Sequence, residues 1–264
     1  MRIQTKFQRL ETVDSVAPHR QDYLDGLPEA QALLIEVQLG SAQAFAIEGR
    51  TGRCGYLLID PDHTVLEFHL DRDHWVFGEE ILGQAIRELK LQRALVKSFD
   101  SLLLSSALAH QCALSVVGLL VRDYVPRPLP ELKDITFCQR LATMDDLPAI
   151  MTVDQQVFSQ PERLRAVIAD SELYLFEDRG RTLGFGMLRT IIAGRRDVDV
   201  GIAVDRPYRR RGHAVYMLRA LVEDCLRRGL RPAAGCAVDN HASRHMGERI
   251  GFVSRHRLLG LTFS

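Results

Sequence analysis

The sequence has few cysteines, no long apolar run and no net charge. Its five cysteines are odd in number and widely spaced, and no two of them form the Cys-x-x-Cys pair typical of zinc or redox sites. No stretch reaches the ~18 apolar residues of a membrane-spanning helix, and the N-terminus lacks the apolar core of a signal peptide. Basic and acidic residues number 34 each, so the whole chain has no field that attracts nucleic acid or an anionic membrane. We therefore expect a cytoplasmic protein with no metal site and no nucleic-acid or membrane partner.

The composition is typical of a globular protein, but the charges are unevenly divided. Apolar residues make up 46% and charged residues 26% of the 264 residues, enough to bury one large core or two small ones. Residues 1–134 hold 14 basic and 19 acidic side chains, whereas residues 135–264 hold 20 arginines, no lysine and 15 acidic side chains. Arginine offers planar, multidentate contacts that suit a phosphate-bearing small ligand, although arginine-rich codon usage would give the same bias.

A proline-rich segment predicts a linker between two domains. Pro126, Pro128 and Pro130 occupy alternate positions and exclude a helix there. The predicted boundaries are a first domain over residues 1–123, a linker over residues 124–134 and a second domain over residues 135–264.

The second half alternates between β and helical patterns in the order β-α-α-β-β-β-α-β-α-β-β. Apolar residues recur at helical spacing after Gly212, whereas Asp197–Val204 and the two runs before it are β-rich and joined by short turns. The predicted strands are 135–142, 172–177, 183–192, 197–204, 233–238 and a terminal pair, 252–256 and 258–263. The predicted helices are 143–156, 161–171, 212–228 and 241–250.

The first half has the same rhythm, which predicts a degenerate internal repeat. The inference uses only the order and length of its elements. The predicted strands are 42–48, 54–60, 64–70, 94–99 and 116–122, and the predicted helices are 31–38, 78–91 and 102–109.

The strongest local signal is the segment VDRPYRRRGHA, residues 204–214, where a predicted strand ends and a helix begins. The start of a helix has unpaired backbone N–H groups and the positive end of its dipole, which together favour phosphate. Gly212 permits close approach of a ligand, Ala214 avoids a bulky side chain, and Arg209 to Arg211 add charged donors. The alternative interpretation of the arginine run is a solvated basic turn.

This loop resembles that of the GCN5-related N-acetyltransferase (GNAT) superfamily. Arg209-x-x-Gly212-x-Ala214 matches the family's Q/R-x-x-G-x-G/A sequence. Val204 and Tyr208 precede it, where family members commonly have V-x-P-x-Y-R.

The flanking elements extend the resemblance to about residues 135–264. Asn240-His-Ala-Ser243 followed by Gly251-Phe252 matches the family's next helix, and Asp197–Val204 fits the strand that splays beside the thioester. The resemblance implies an α/β (α+β) fold with two GNAT-like domains, each a mixed, largely antiparallel sheet flanked by helices.

The resemblance also implies a function, namely transfer of an acetyl group from acetyl-CoA to a primary amine by direct attack. We expect the acceptor to be a small molecule, with a protein amine left open. In the family a backbone N–H of the splayed strand polarises the acyl carbonyl, and positioning supplies much of the rate. The cofactor-binding residues implied here are Ile202, Val204, Arg209, Arg210, Arg211, Gly212, His213, Ala214, Asn240 and Ser243.

One position departs from the family pattern. Many members have a tyrosine four residues before the glycine of Gly-Phe as general acid for the thiolate, and this sequence has Gly247 there. Tyr216, Ser243, Cys236 or a water are the candidate replacements. The rival interpretation is a non-catalytic acyl-CoA-binding sensor or scaffold.

Two aspartates are candidates for the general base. Asp197 and Asp199 lie on the predicted strand that resembles the thioester strand, and they share one face of it. The alternative is that this face is merely solvated.

The first half has a different sequence where a phosphate loop would fall. Residues 71–78, DRDHWVFG, carry acids and bulky side chains, so we expect no cofactor binding there and packing roles for Trp75 and Phe77. Lys97 and Asp100 are an alternative contribution to a pocket, or else only a strand end and a helix N-cap.

Overall fold

The computed structural model describes residues 4–130, 137–153 and 161–264. The strands are β1 (Lys6–Arg9), β2 (Gln43–Gly49), β3 (Gly52–Ile59), β4 (Thr64–Leu70), β5 (Arg93–Lys97), β6 (Gln111–Val121), β7 (Asp123–Tyr124), β8 (Cys138–Leu141), β9 (Leu173–Asp178), β10 (Arg181–Thr190), β11 (Asp197–Val204), β12 (Arg231–Ala237), β13 (Phe252–Val253) and β14 (His256–Phe263). The α-helices are α1 (Ala17–Gly26), α2 (Leu33–Leu39), α3 (Gly78–Leu89), α4 (Ser101–Leu108), α5 (Leu147–Val153), α6 (Pro161–Ala169), α7 (His213–Arg227) and α8 (His241–Ile250).

The chain forms two compact units that do not divide it at a single point. The first unit comprises residues 1–120, 237–239 and 256–264, and the second comprises residues 121–236 and 240–255.

The first unit is a mixed sheet with the strand order β1-β2-β3-β4-β5-β14-β6. Among the described strands of this unit, β4 and β5 are the pair that runs parallel. On one face α3 and α4 cover the sheet, where Ile81 and Leu103 pack with Val65 and Phe68 in the apolar core. On the opposite face α1 and α2 contribute charged and aromatic side chains.

The second unit has the strand order β12-β11-β10-β9-β8, with a separate antiparallel pair formed by β13 and β7. On one face of the sheet α7 packs through Leu218 and Leu221 against Val198 and Val200. On the other face, α5 and α6 pack around Ala203 and Phe185. The predicted fold class, α/β with mixed sheets flanked by helices, is confirmed in both units.

Most predicted elements are present, with ends shifted by a few residues. The strands predicted at 64–70 and 197–204 and the helix predicted at 241–250 have those bounds. The predicted strand 135–142 and helix 143–156 are described only as β8 and α5, because parts of both fall in residues 131–136 and 154–160, outside the described residues.

The terminal strand pair is the clearest difference from the sequence-based prediction. Instead of pairing with its neighbour in the chain, β14 lies between β5 and β6 of the first unit. Its residues Leu258 and Leu261 are buried there. An alternating apolar pattern shows that a strand is half-buried but does not determine which sheet it joins.

Helix α1 is absent from the prediction for a physical reason. Its sequence, APHRQDYLDG, has no apolar stripe, and its buried positions include Tyr23 with the largely buried Arg20. Both side chains are held by polar partners, so the helix has no hydrophobic period to detect. Among the described residues, no helix has the length and apolar character needed to cross a membrane.

Candidate active site

The strands β11 and β12 separate after a short parallel pairing. Asp197 pairs with Arg231, and the last pair of the register joins Asp199 to Ala233. Beyond that point β11 continues to Val204 beside β10. The sheet therefore opens along the second half of β11.

The separation exposes backbone donors of β11. The N–H of Asp205 donates to the carbonyl of Leu183, which fixes the alternation of hydrogen bonds between β10 and β11. By that alternation the N–H groups of Ile202 and Val204 are directed away from β10 and toward the opening. Within the described part of the chain neither has an acceptor. Both residues are among the predicted cofactor contacts.

The loop between β11 and α7 has a backbone suited to an anion. Arg210 and Gly212 have φ values of 60° and 88°, in the left-handed region, and α7 begins directly after them. Such alternation points successive N–H groups into one concavity. The N–H groups of residues 211–214 donate no hydrogen bond within the described ranges. The positive end of the 15-residue helix α7 adds to the attraction.

The three arginines of the loop are placed differently. The Nε of Arg209 donates to the carbonyl of Val204 at 2.7 Å, so this side chain fastens the loop to the end of β11. Arg210 and Arg211 are exposed at the start of α7. Arg209 therefore has a structural role, and anion contacts through the side chains of Arg210 and Arg211 stay a prediction.

His213, the first residue of α7, is partly buried beside Tyr208, with ring centroids 5.8 Å apart. Its Nδ1 is buried and has no partner among the described residues. Burial and the charge of Arg211 lower the pKa of His213, which keeps the ring neutral near pH 7. A predicted cofactor contact thus presents an unpaired polar atom at the loop.

The two candidate aspartates have different environments. Asp197 is buried and forms an ion pair with Arg231 at 2.7 Å. Asp199 is partly buried, and burial raises its pKa to about 6, against the opposing charges of Arg122 and Arg189. Asp199 shares a face of β11 with Ala203, which packs in the core of α5 and α6. Asp199 is therefore the better of the two as a base near neutral pH.

The start of α8 contains the other predicted contacts. The side chain of Asn240 accepts a hydrogen bond from the N–H of Ser243 at 3.0 Å, so Asn240 is the N-cap of the helix. Burial raises the pKa of the Cys236 thiol, and the nearby hydroxyl of Ser243 acts in the opposite direction. A hydroxyl and a thiol therefore meet beside the end of β12.

Tyr216 is an unfavourable replacement for the missing family tyrosine. Its hydroxyl donates to the carbonyl of Pro130 at 2.7 Å, in the predicted linker. Gly247 is buried against Phe252, and a Cβ there would lie 3.5 Å from the ring of Phe252. Of the candidate acids, Ser243 and Cys236 are the pair that the structure brings together.

The corresponding segment of the first unit has a different loop. A 3₁₀ helix over Arg72–Phe77 leads into α3, and none of residues 71–78 has a positive φ. Glu79 and Glu80 occupy the first turn of α3, where negative charge opposes an anion. This loop does not reproduce the anion-binding geometry of residues 209–214.

Sequence comparisons give the two halves the same family. Residues 12–124 match the profile described as an acetyltransferase (GNAT) domain, and residues 141–252 match the profile of the acetyltransferase (GNAT) family. The chain belongs to the GNAT acetyltransferase family. The prediction of a degenerate repeat is therefore wrong, because the first half is itself recognisable as a GNAT domain.

Solved structures of GNAT proteins have the same fold over nearly the whole chain. An acetyltransferase from the GNAT family of Colwellia psychrerythraea has a TM-score of 0.86 at 18% identity, covering 98% of this chain and 100% of its own. A GCN5-related N-acetyltransferase from Sphaerobacter thermophilus has a TM-score of 0.63 at 17% identity, covering 98% and 95%. A tandem GNAT protein from the clavulanic acid biosynthesis pathway has a TM-score of 0.59 at 14% identity, covering 98% of each chain. At these identities the likeness shows the fold. No curated protein matches the sequence.

The family assignment defines what the two GNAT domains share. GNAT acetyltransferases use acetyl-CoA as acetyl donor.

Two residues near Asp199 are not found by sequence analysis. They are Arg122 and Arg189, whose charges oppose the rise in the pKa of Asp199. Arg122 follows β6 directly, and Arg189 lies on β10. Both are distant in sequence from the loop at residues 209–214, and only the folded sheet brings them near Asp199.

Proposed function

We infer that the second GNAT domain transfers an acetyl group from acetyl-CoA to the primary amine of a small molecule by direct attack. The observation that carries this proposal is the loop at residues 209–214, which presents unpaired N–H groups at the start of α7 beside the opening between β11 and β12. An open sheet edge and an anion-binding helix start, placed together, fit a long ligand with a phosphate at one end.

The described residues fit acetyl-CoA. The left-handed backbone at Arg210 and Gly212 and the N–H groups that follow would hold the pyrophosphate. The N–H groups of Ile202 and Val204 would donate hydrogen bonds to the part of acetyl-CoA that lies along the opening. When bound, acetyl-CoA supplies an activated acetyl group on a thiol that leaves readily.

The protein's own residues then transfer protons and stabilise developing charge. Asp199 takes a proton from the incoming ammonium, since its pKa of about 6 lets it be ionised at neutral pH yet basic enough to accept. The backbone N–H groups of β11 stabilise negative charge that develops on an oxygen beside them. At the start of α8, the hydroxyl of Ser243 and the nearby thiol of Cys236 are the groups that would give a proton to the departing thiolate.

The test is a calorimetric titration of the full chain with acetyl-CoA, combined with measurement of free thiol release over a panel of small amines. Arg211→Glu and Gly212→Glu should each weaken binding by about tenfold or more, because they place a carboxylate at the anion site. Arg227→Glu, an equal charge reversal at the exposed far end of α7, is the matched control and should bind normally.

Tight binding with thiol release supports an acetyltransferase. Binding without release for any amine favours the acyl-CoA sensor instead, for which the glycine at position 247 is the motivating observation. No binding by the unmodified chain, or equal binding by all variants, refutes the proposal.

A further inference from the structure

The two GNAT domains share a side-chain hydrogen bond at the end of the strand that precedes the loop. In the second domain, Arg209 donates from Nε to the carbonyl of Val204, five residues earlier, at 2.7 Å. In the first domain, Trp75 donates from Nε1 to the carbonyl of Leu70, also five residues earlier, at 2.8 Å. The same kind of side-chain hydrogen bond is therefore found at the end of both strands, and β4 is the structural counterpart of β11.

The opening beside that strand is also present in the first domain. β4 and β5 pair in parallel only through Thr64 with Arg93 and Val65 with Ala94. The rest of β4, through Leu70, has no strand partner on that side within the described residues. The first domain therefore keeps the open half of a GNAT sheet, although its loop lacks the anion-binding backbone.

The face of β4 toward α1 carries a buried polar cluster. Glu67 is fully buried and accepts hydrogen bonds from Arg20, Gln31 and Tyr56 at 2.9–3.1 Å. A second group joins the buried Lys97 to the hydroxyl of Tyr23, which donates to Asp100 at 2.6 Å. These side chains satisfy one another's hydrogen-bonding groups. Lys97 and Asp100, which the sequence analysis singles out, are joined in this way through Tyr23.

His69 is the exception within this cluster. It lies next to the end of β4, partly buried, with the rings of Tyr56 and Tyr23 at 5.5 and 6.1 Å from its own. Its ring nitrogens make no hydrogen bond in the described part of the chain, and its Nε2 lies 4.0 Å from the carboxylate of Asp71. The neighbouring His19 likewise has a buried Nδ1 without a partner among the described residues. Both imidazoles thus have a ring nitrogen without a hydrogen bond among the described residues.

The charges around His69 select the kind of ligand. Burial lowers the pKa of His69, with His19 acting in the same direction and Asp71, Asp22 and Asp100 opposing it. A neutral imidazole accepts a hydrogen bond, and the half-exposed carboxylate of Asp71 favours a cation, whereas the carboxylate of Asp100 is already paired with Lys97. The ring of Tyr56 is also a favourable neighbour for an ammonium group, whereas the ring of Tyr23 already has Lys97 Nζ 4.9 Å from its centroid.

We propose that the first GNAT domain has a second ligand site, centred on His69 and Asp71, that binds the ammonium group of a small amine. The first domain thus keeps an acceptor-type site without the loop for a phosphate-bearing donor. The site binds its ligand non-covalently and stands independently of acetyl transfer by the second domain.

The experiment follows the imidazole signals of the full-length protein, carrying carbon-13 in its nine histidines, by NMR at neutral pH. The probe is n-butylammonium, and n-butanol is the uncharged analogue of the same shape. His69→Gln identifies the signal of His69, and His245→Gln, in the exposed part of α8, is the matched control. The Gly212→Glu variant is titrated in parallel to separate this site from the acetyl-CoA site.

The expected result is a saturable shift of the His69 signal with butylammonium, with half-saturation at millimolar concentration, and none with butanol. Asp71→Asn, a substitution on a half-exposed side chain, should weaken binding by about threefold. Binding should persist in Gly212→Glu even if acetyl-CoA binding is lost. The absence of a saturable shift at His69, or an equal response to butanol, overturns the proposal. The titrations use the unmodified protein, and His69→Asn provides the assignment if His69→Gln fails to fold.

Discussion

Replacing Asp199 by asparagine should stabilise the second domain while abolishing thiol release. The carboxylate is ionised at neutral pH although burial disfavours its charge, which raises its pKa from 3.8 to about 6. A group whose pKa is raised by folding destabilises the native state when ionised. Asparagine has nearly the same shape and carries no charge, so the substitution removes that penalty.

The size of the effect follows from the two pKa values. The difference between 3.8 and about 6 corresponds to an upper limit of about 3 kcal/mol at about pH 7.5, at ~1.36 kcal/mol per unit. As the pH falls through 6, the folded state becomes protonated and the penalty shrinks, to about 0.5 kcal/mol at about pH 4. Below the unfolded pKa it vanishes, because both states then carry the neutral acid.

The assay is guanidinium unfolding of the natural and Asp199→Asn proteins at about pH 4 and pH 7.5, followed by circular dichroism. The stabilisation should appear at the higher pH and be nearly absent at the lower. Asp197→Asn is the matched control, since it removes an ion pair with the largely exposed Arg231 and should destabilise by at most ~1 kcal/mol. A free-energy difference for Asp199→Asn that is the same at both pH values would refute the reasoning, as would full thiol release.

Two further substitutions and one truncation test the packing that supports the two domains. Gly251→Ala should unfold the second domain or lower its stability severely, measured by thermal melting, because a Cβ there would lie 1.8 Å from the carbonyl oxygen of Val125. Removal of residues 256–264 should destabilise the first domain, seen as faster proteolysis within residues 4–120, because β14 fills the position between β5 and β6; unchanged proteolysis would contradict this. Glu67→Gln should cost about 3–5 kcal/mol in urea unfolding, whereas Glu48→Gln, at a partly exposed pair, should cost at most ~1 kcal/mol.

The sequence predicts the second domain well because its signals are local. The start of α7 is marked by Gly212, which the loop needs at a φ of 88°, and the apolar stripe of the helix is continuous. Asn240 is recognisable as the residue that caps α8, and Gly251 has the left-handed backbone that ends it. Each of these features depends on neighbours within a few residues, so the pattern is visible along the chain.

The roles of individual candidates are less accessible to sequence. Asp197 and Asp199 occupy equivalent positions in the alternation, and the sequence does not separate them. Their difference comes from Arg231, which pairs with Asp197, and from the burial of Asp199 near Arg122 and Arg189. These partners are distant in sequence, so the choice between the two carboxylates depends on the folded sheet.

The sequence by itself determined the order of strands and helices, the loop with its left-handed glycine and the family resemblance of the second half. Only the tertiary structure decided that β14 belongs to the first unit and that α1 covers its sheet through Arg20 and Tyr23. The physical reason is the same in both cases. Local patterns record which side of an element is buried, whereas the partner that buries it is selected by contacts between residues far apart in the chain.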